Sequence, residues 1–166
     1  KELNKLKQDK LINKIGFSTY IPNQVDFLLD NFDFDLIQVP FNVFDTRLVE
    51  GGQLQKLKNK KIEIHARSVF LQGILLNFHS LPEYFSTWRE QFVEYQLIVK
   101  ESGLSLLEYA LNFVIGFEEI DKVIIGVENC NQLQEAISSL EVKNNINYKD
   151  NGLNDPFLVN PSNWRK

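Results

Sequence analysis

The sequence predicts an α/β fold in which a parallel sheet of four strands is covered by helices. Three observations carry this. Short, mostly apolar strand segments alternate with helical segments along the chain, the pattern of parallel strands joined by helical crossovers. A hydrophobic content of 43% and a charged content of 24% describe a globular domain with one core. Four strands in 166 residues are too few for a complete eight-stranded barrel, which takes about 250 residues. The pattern alone therefore leaves a doubly wound sheet or part of a barrel.

The elements follow in order. Leu3, Leu6, Lys7, Lys10 and Leu11 keep helical spacing, and Asn13-Lys14 ends it. Residues 15–20, "IGFSTY", read as a first strand. Pro22 suits the first turn of the next helix, whose apolar side is Val25, Phe27, Leu28, Leu29 and Phe32. Residues 36–41, "LIQVPF", form a nearly continuous apolar strand. Gly51-Gly52 breaks the following loop, and Leu54, Leu57 and Lys58 lie on a helix that ends in lysines. A third strand covers residues 62–69, "IEIHARSV", and an irregular stretch runs on through Gly73 and Pro82. Helices are expected from Trp88 to Lys100 and, capped by Ser105, from Leu106 to Ile115. Residues 118–121 turn, residues 122–127 make the fourth strand, and Asn129 or Asn131 caps a last helix reaching about Leu140. The chain thus divides into a body, 1–140, and an Asn- and Asp-rich tail, 141–166, expected as an extended surface arm.

Composition narrows the function. The net charge is −4, from 18 basic and 22 acidic residues, which argues against a nucleic-acid partner. The lysine run near residue 60 reads as a solvated helix end. Cys130 is the only cysteine, so neither an internal disulfide nor a multi-Cys metal site is expected. A lone thiol fits a reducing, cytoplasmic setting. No apolar run reaches the roughly 20 residues of a membrane span, so no membrane partner is expected. The sequence contains no Met and opens inside a helical pattern, which points to a piece of a longer protein.

Ligands of parallel α/β folds sit beyond the carboxyl ends of the strands. The candidates there are Ser18, Thr19 and Tyr20; Gln38, Pro40 and Asn42; Arg67 and Ser68; and Gly126, Val127, Glu128 and Asn129. Gln38 interrupts an apolar strand with an amide whose donors and acceptor need partners, from a ligand amide or from the chain itself. Arg67 leaves "IEIHARSV" as a guanidinium that must be paired or at the rim. It could bind an anion, stack on a flat ring, or pair with Asp45 or Glu128. His65 reads as a satisfied core histidine, and His79 sits in a loop with no acidic partner nearby in sequence. The junction "KVIIGVENCNQLQEAI", 122–137, places a strand, Gly126 and a helix N-terminus in the order that can receive an anion. It is neither a GxGxxG nor a P-loop. Glu135, two turns into that helix, could accept from an exocyclic amine or simply face solvent. No carboxylate pair, GxSxG or HExxH pattern calls for hydrolysis or a metal.

Four stretches taken together, "LNKLKQDKLINKIGFSTY", "DLIQVPFNVFDTR", "EIHARSVFLQGILL" and "IDKVIIGVENCNQLQEAISSL", resemble the C-terminal half of an aldo/keto reductase in order, spacing and flavour. The tail's "NPSNW" resembles the arms that close some members. The resemblance implies a (β/α)8 TIM barrel of which this chain is the parallel-stranded half carrying strands five to eight. It implies carbonyl reduction with NADP or NAD as cofactor and a small carbonyl substrate for the parent protein. Carried over by position, Ser18 and Thr19 meet the nicotinamide carboxamide, where the family has a Ser-Asn pair. Gln38 binds the same carboxamide, and Arg67 stands where a Tyr stacks on the nicotinamide. Ser68 to Gly73, Leu71 included, wrap the pyrophosphate. Gly126 and Val127 replace a Lys-Ser type pair at the 2′-phosphate, Gln132 replaces a phosphate-binding Arg, and Glu135 matches the acid at the adenine amine. These changes leave the choice between NADPH and NADH open. The family's catalytic Asp, Tyr, Lys and His belong to earlier strands, so the isolated chain is expected to be inactive. Two other readings compete: a non-catalytic half-barrel module that dimerises through its open edges, and an unrelated flavodoxin-like binding domain.

Overall fold

The computed structural model describes residues 2–141 and 152–164. Its frame is a sheet of four parallel strands in the order β1-β2-β3-β4: β1 (Gly16–Ser18), β2 (Leu36–Pro40), β3 (Glu63–Arg67) and β4 (Lys122–Val123). Sequence order and spatial order coincide, so there is no reversal of strand order and no switch point of the flavodoxin kind.

The two faces of the sheet differ. Ile37, Val39, Ile64 and Ala66 are fully buried under helices, whereas Leu36, Gln38, Glu63, His65 and Arg67, alternating with them, are half-buried, and Gly16, Ser18 and Lys122 are exposed. A doubly wound sheet is covered on both faces and reads apolar on both. Here one face is apolar and covered, the other polar and open, as on the inside of part of a barrel.

The helices owe their places to apolar spacing and caps. In α1 (Glu2–Gln8) no residue is buried. In α2 (Pro22–Asn31), Pro22 opens the first turn, and Val25, Leu28 and Leu29 face the core. A short α3 (Arg47–Glu50), read from the sequence as loop, precedes α4 (Gln53–Asn59), which buries Leu54 and Leu57. After α5 (Arg89–Ser102), α6 (Leu106–Ile115) starts on a reciprocal cap. The Ser105 hydroxyl accepts from the Glu108 amide at 3.2 Å, and the Ser105 amide donates to the Glu108 carboxylate at 2.7 Å. Asn129 caps α7 (Cys130–Ser138).

Two expectations change. The fourth strand, expected over 122–127, keeps only Lys122 and Val123 in register with His65 and Ala66; one further bond runs from the Ile124 amide to the Ala66 carbonyl at 2.8 Å. β4 is the last strand of the sheet, so no second neighbour holds residues 125–127 in the ladder. The tail, expected as an extended arm, docks on the body where it is described. Asp155 caps α8 (Pro156–Val159), whose Leu158 and Val159 are buried. The Trp88 indole donates to Asp155 at 3.0 Å, the Tyr84 hydroxyl to the Phe157 carbonyl at 2.7 Å, and the Thr46 amide to the Asn154 side chain at 2.8 Å. The rest of the expected arm, 142–151 and 165–166, lies outside the described residues.

The heavy Phe content knits the core. Phe41, Phe113 and Phe117 form one group with centroids 4.8–5.9 Å apart. Phe44, Phe78 and Phe92 gather around Tyr95. The Tyr95 hydroxyl is buried without a partner among the described residues, and burial raises its pKa. Removing that hydroxyl removes an unpaid desolvation cost of about 1 kcal/mol. Tyr95→Phe is therefore expected to match or exceed the parent in urea-denaturation midpoint, where most core substitutions lower it. A drop of more than about 1 kcal/mol would show that the hydroxyl has a partner.

Candidate functional site

The carboxyl end of β3 is the centre of the site. Arg67 reaches the rim and is held there over a ring. Its guanidinium carbon lies 4.4 Å from the centroid of the Tyr20 ring, one Nη donates to the Thr19 carbonyl at 2.9 Å, and the other donates to the Ser68 hydroxyl at 3.1 Å. Neither acid considered from the sequence pairs with it. Asp45 is taken by Arg47, whose Nε and Nη2 donate to its two carboxylate oxygens at 2.7 and 2.8 Å. Burial holds the Asp45 carboxyl above its ordinary pKa, with Arg47 opposing.

Beyond Arg67 the backbone turns sharply. Ser68, Leu71, Gln72 and Gly73 all have positive φ, at 58°, 45°, 56° and 87°, a conformation that side chains other than glycine adopt reluctantly. Buried Asn42 helps to hold it: its amide donates to the Ser68 carbonyl at 3.0 Å, and its own oxygen accepts from Phe44 at 3.0 Å. The amides of Val69 and Phe70 donate to no group among the described residues, so the bend carries free N–H donors of the kind that hold anions.

An open cleft of about 960 Å³ runs from this bend across the end of β4 to α7. Arg67, Ser68, Phe70, Gln72 and Gly73 form one wall, Leu106 and Leu107 lie at the start of α6, and the segment 124–128 with Gln132, Glu135 and Ala136 forms the other wall. A Cβ built on Gly126 would meet nothing within 4 Å, so its place in the cleft is open rather than packed.

The structure thus gathers Arg67, Ser68, Gly73, Gly126, Val127, Gln132 and Glu135 along one cleft, and leaves four expected site residues out of it. Leu71 is fully buried: the loop turns this apolar side chain into the core. Thr19 is buried, its carbonyl taken by Arg67 and its amide bonded to the Gln38 carbonyl at 3.0 Å. Ser18 and Gln38 pair in register on the open face of the sheet, away from the cleft. The Gln38 side chain has no hydrogen bond among the described residues. Reading the sequence missed the cleft's share of α6, though "SLLE" at 105–108 carries the cap that positions it, and it gave no sign of the free amides at 69 and 70.

The anion-receiving junction is partly closed by its own residues. The Asn129 side chain accepts from the Gln132 amide at 3.0 Å, and the Gln132 side chain folds back to accept from the Glu128 amide at 2.8 Å. Lower on the open face, Glu63 gathers Lys14, His65 and Lys122, which together hold its carboxyl down at about 2. His65 is therefore satisfied, as expected, but by a carboxylate on the open face rather than in the core. Among the described residues no group of His, Cys, Asp and Glu is placed to hold a metal, and no helix is long and apolar enough to cross a membrane.

The comparisons with known proteins agree with this architecture. No curated protein matches the chain. Among solved structures, it is similar to the aldo-keto reductase AKR11C1 from Bacillus halodurans. The holo form superposes with a TM-score of 0.69 at 21% identity, over 84% of this chain and 48% of that one; the apo form gives 0.69 at 20% over 84% and 49%. A thermostable aldo-keto reductase, Tm1743, solved with the inhibitor epalrestat, gives 0.63 at 17% over 88% and 49%. The chain spans about half the length of these structures, and at such identities they establish the fold, part of a (β/α)8 barrel. The model of the Aldo/keto reductase family matches residues 1–150. With nearly the whole sequence inside that match and a parallel sheet in sequential order beneath it, the chain belongs to the aldo/keto reductase family.

Proposed function

We propose that the chain is the cofactor-side half of an NAD(P)H-dependent carbonyl reductase, its strands corresponding to the fifth to eighth of the barrel, and that the rim cleft holds a nicotinamide dinucleotide. The observation that supports this most is the bend after β3. Free amides at Val69 and Phe70, the Ser68 hydroxyl and the Arg67 guanidinium converge on the cleft wall, a donor set suited to a pyrophosphate. Glu135, exposed at the far end, suits an exocyclic amine as acceptor, and the unpartnered Gln38 amide on the open face suits a carboxamide. When bound, the dinucleotide supplies the hydride. The residues of this chain bind it, orient it and hold its charge.

Hydride transfer to a carbonyl needs a proton donor at the carbonyl oxygen, and we assign that donor to the other half of the barrel. Titrating the purified chain with NADH and NADPH, followed by nucleotide fluorescence, is expected to show saturable binding without turnover of aldehydes or ketones. Absence of binding at millimolar nucleotide overturns the cofactor reading; turnover overturns the assignment of the proton donor.

A second reading rests on exposed apolar groups at both edges: Phe27 and Phe32 beside β1, and Ile124, Val127, Leu133 and Ile137 beside β4. Such flanks favour association of two copies edge to edge. Sedimentation of the isolated chain as a dimer supports it; a monomer at all concentrations rules it out.

A further inference from the structure

We infer that the rim cleft selects the dinucleotide that carries no 2′-phosphate, NADH over NADPH. The inference rests on the dinucleotide reading above and on the charges that line the cleft. NADPH differs from NADH by one phosphate, close to a dianion at neutral pH, and a group of that charge needs charge-assisted donors of its own.

The cleft has positive charge for one anionic group. Among the described residues that line it, Arg67 is the only cation, and its guanidinium already serves Thr19, Ser68 and Tyr20 at one wall. The free amides of Val69 and Phe70 lie at that same wall. A pyrophosphate placed there uses all of them.

The rest of the cleft repels a second anion. Glu128 and Glu135 stand on the opposite wall. The two helix starts, the usual reserve of anion-binding N–H groups, carry no positive side chain in their first turns, and each has part of that turn engaged. At α6 the amide of Ser105 donates to the Glu108 carboxylate, which puts a negative charge at that end. At α7 the Asn129 and Gln132 side chains accept from the amides of Gln132 and Glu128. The remaining first-turn residues of α7, Cys130 and Asn131, do not line the cleft. A 2′-phosphate would have to displace Gln132 from its bond and sit among carboxylates. A ribose diol has no such need, and the carboxylates can accept from its hydroxyls.

Titration of the purified chain with NADH and NADPH at fixed ionic strength tests the inference. NADH is expected to bind at least about tenfold more tightly. Adding cations at the open wall, in Gly126→Lys combined with Gln132→Arg, is expected to narrow or reverse that ratio by tightening NADPH more than NADH. Both positions are exposed, and the space at Gly126 is empty, so the double variant keeps the fold. Equal or tighter binding of NADPH by the parent chain overturns the inference while leaving the dinucleotide reading intact. So does a preference for NADH that the double variant leaves unchanged, because the discrimination would then not come from the charge of this cleft. Failure of both nucleotides to bind sinks the dinucleotide reading, and the inference with it.

Discussion

Arg47→Ala is expected to lower the stability of the chain by about 3–5 kcal/mol at neutral pH. Asp45 is 2% exposed, and the two hydrogen bonds from Arg47 are its charge-assisted ones. Removing the guanidinium leaves a carboxylate in a site that burial already makes unfavourable for charge. The pH dependence has a definite sign. Burial holds the folded pKa of Asp45 above its unfolded value even with Arg47 in place. The folded protein therefore keeps the proton more readily, and this group's contribution to stability grows as pH falls through the folded pKa toward the unfolded one. Without Arg47 the folded pKa rises further. The deficit of Arg47→Ala relative to the parent is thus largest at pH 7 and shrinks toward pH 4. Asp26, Asp35, Asp121 and Glu63, whose carboxyls are held below their ordinary values, cost both proteins stability on acidification and cancel in the difference. Urea midpoints of the two proteins across that range measure it. Asp45→Asn in the Arg47→Ala background is expected to recover part of the loss. A constant deficit at every pH would mean that packing of the arginine stem, not the stranded charge, is what matters.

The second large effect concerns binding. Arg67→Ala is expected to weaken dinucleotide affinity about 10–100-fold, the worth of one charge-assisted contact to a pyrophosphate. Fold stability should fall by about 1–3 kcal/mol, because Arg67→Ala leaves the carbonyl of buried Thr19 without its donor. Arg67→Lys is expected to restore little. An ammonium cannot lie flat on Tyr20 while donating in two directions, so it would not be held at the cleft wall as the guanidinium is. Tyr20→Leu, which removes only the platform, should cost a few-fold. Isothermal titration of the four proteins separates these outcomes. Unchanged affinity in Arg67→Ala would remove Arg67 from the site.

Some of the site was legible in the chain alone because it depends on short-range chemistry. Arg67 had to be paired or reach a rim because a guanidinium is costly inside a strand. Ser105 announced one helix start, and Asn129 or Asn131 another, because a hydroxyl or amide before an apolar run finds an unpaired N–H to accept from. Other features rest on partners far away in sequence. Asn42 supports the bend at Ser68 from 26 residues away, and the Thr46 amide meets Asn154 at a separation of 108. Arg67 had two acidic candidates, Asp45 and Glu128, and only the folded loop shows that Asp45 is taken by Arg47 instead.

By itself, then, the sequence determined the α/β order, the presence of four strands, the Ser105 cap and the family. Each follows from spacing, from turn chemistry or from a pattern repeated along the chain. Tertiary structure alone decided that one face of the sheet is covered and the other open, that β4 stops after two residues, that the described tail docks, and that Leu71 turns inward. Those outcomes depend on which surfaces meet. A strand's second neighbour, a buried charge's partner and the side of a loop that faces the core are set by contacts between distant segments, and local sequence does not encode them.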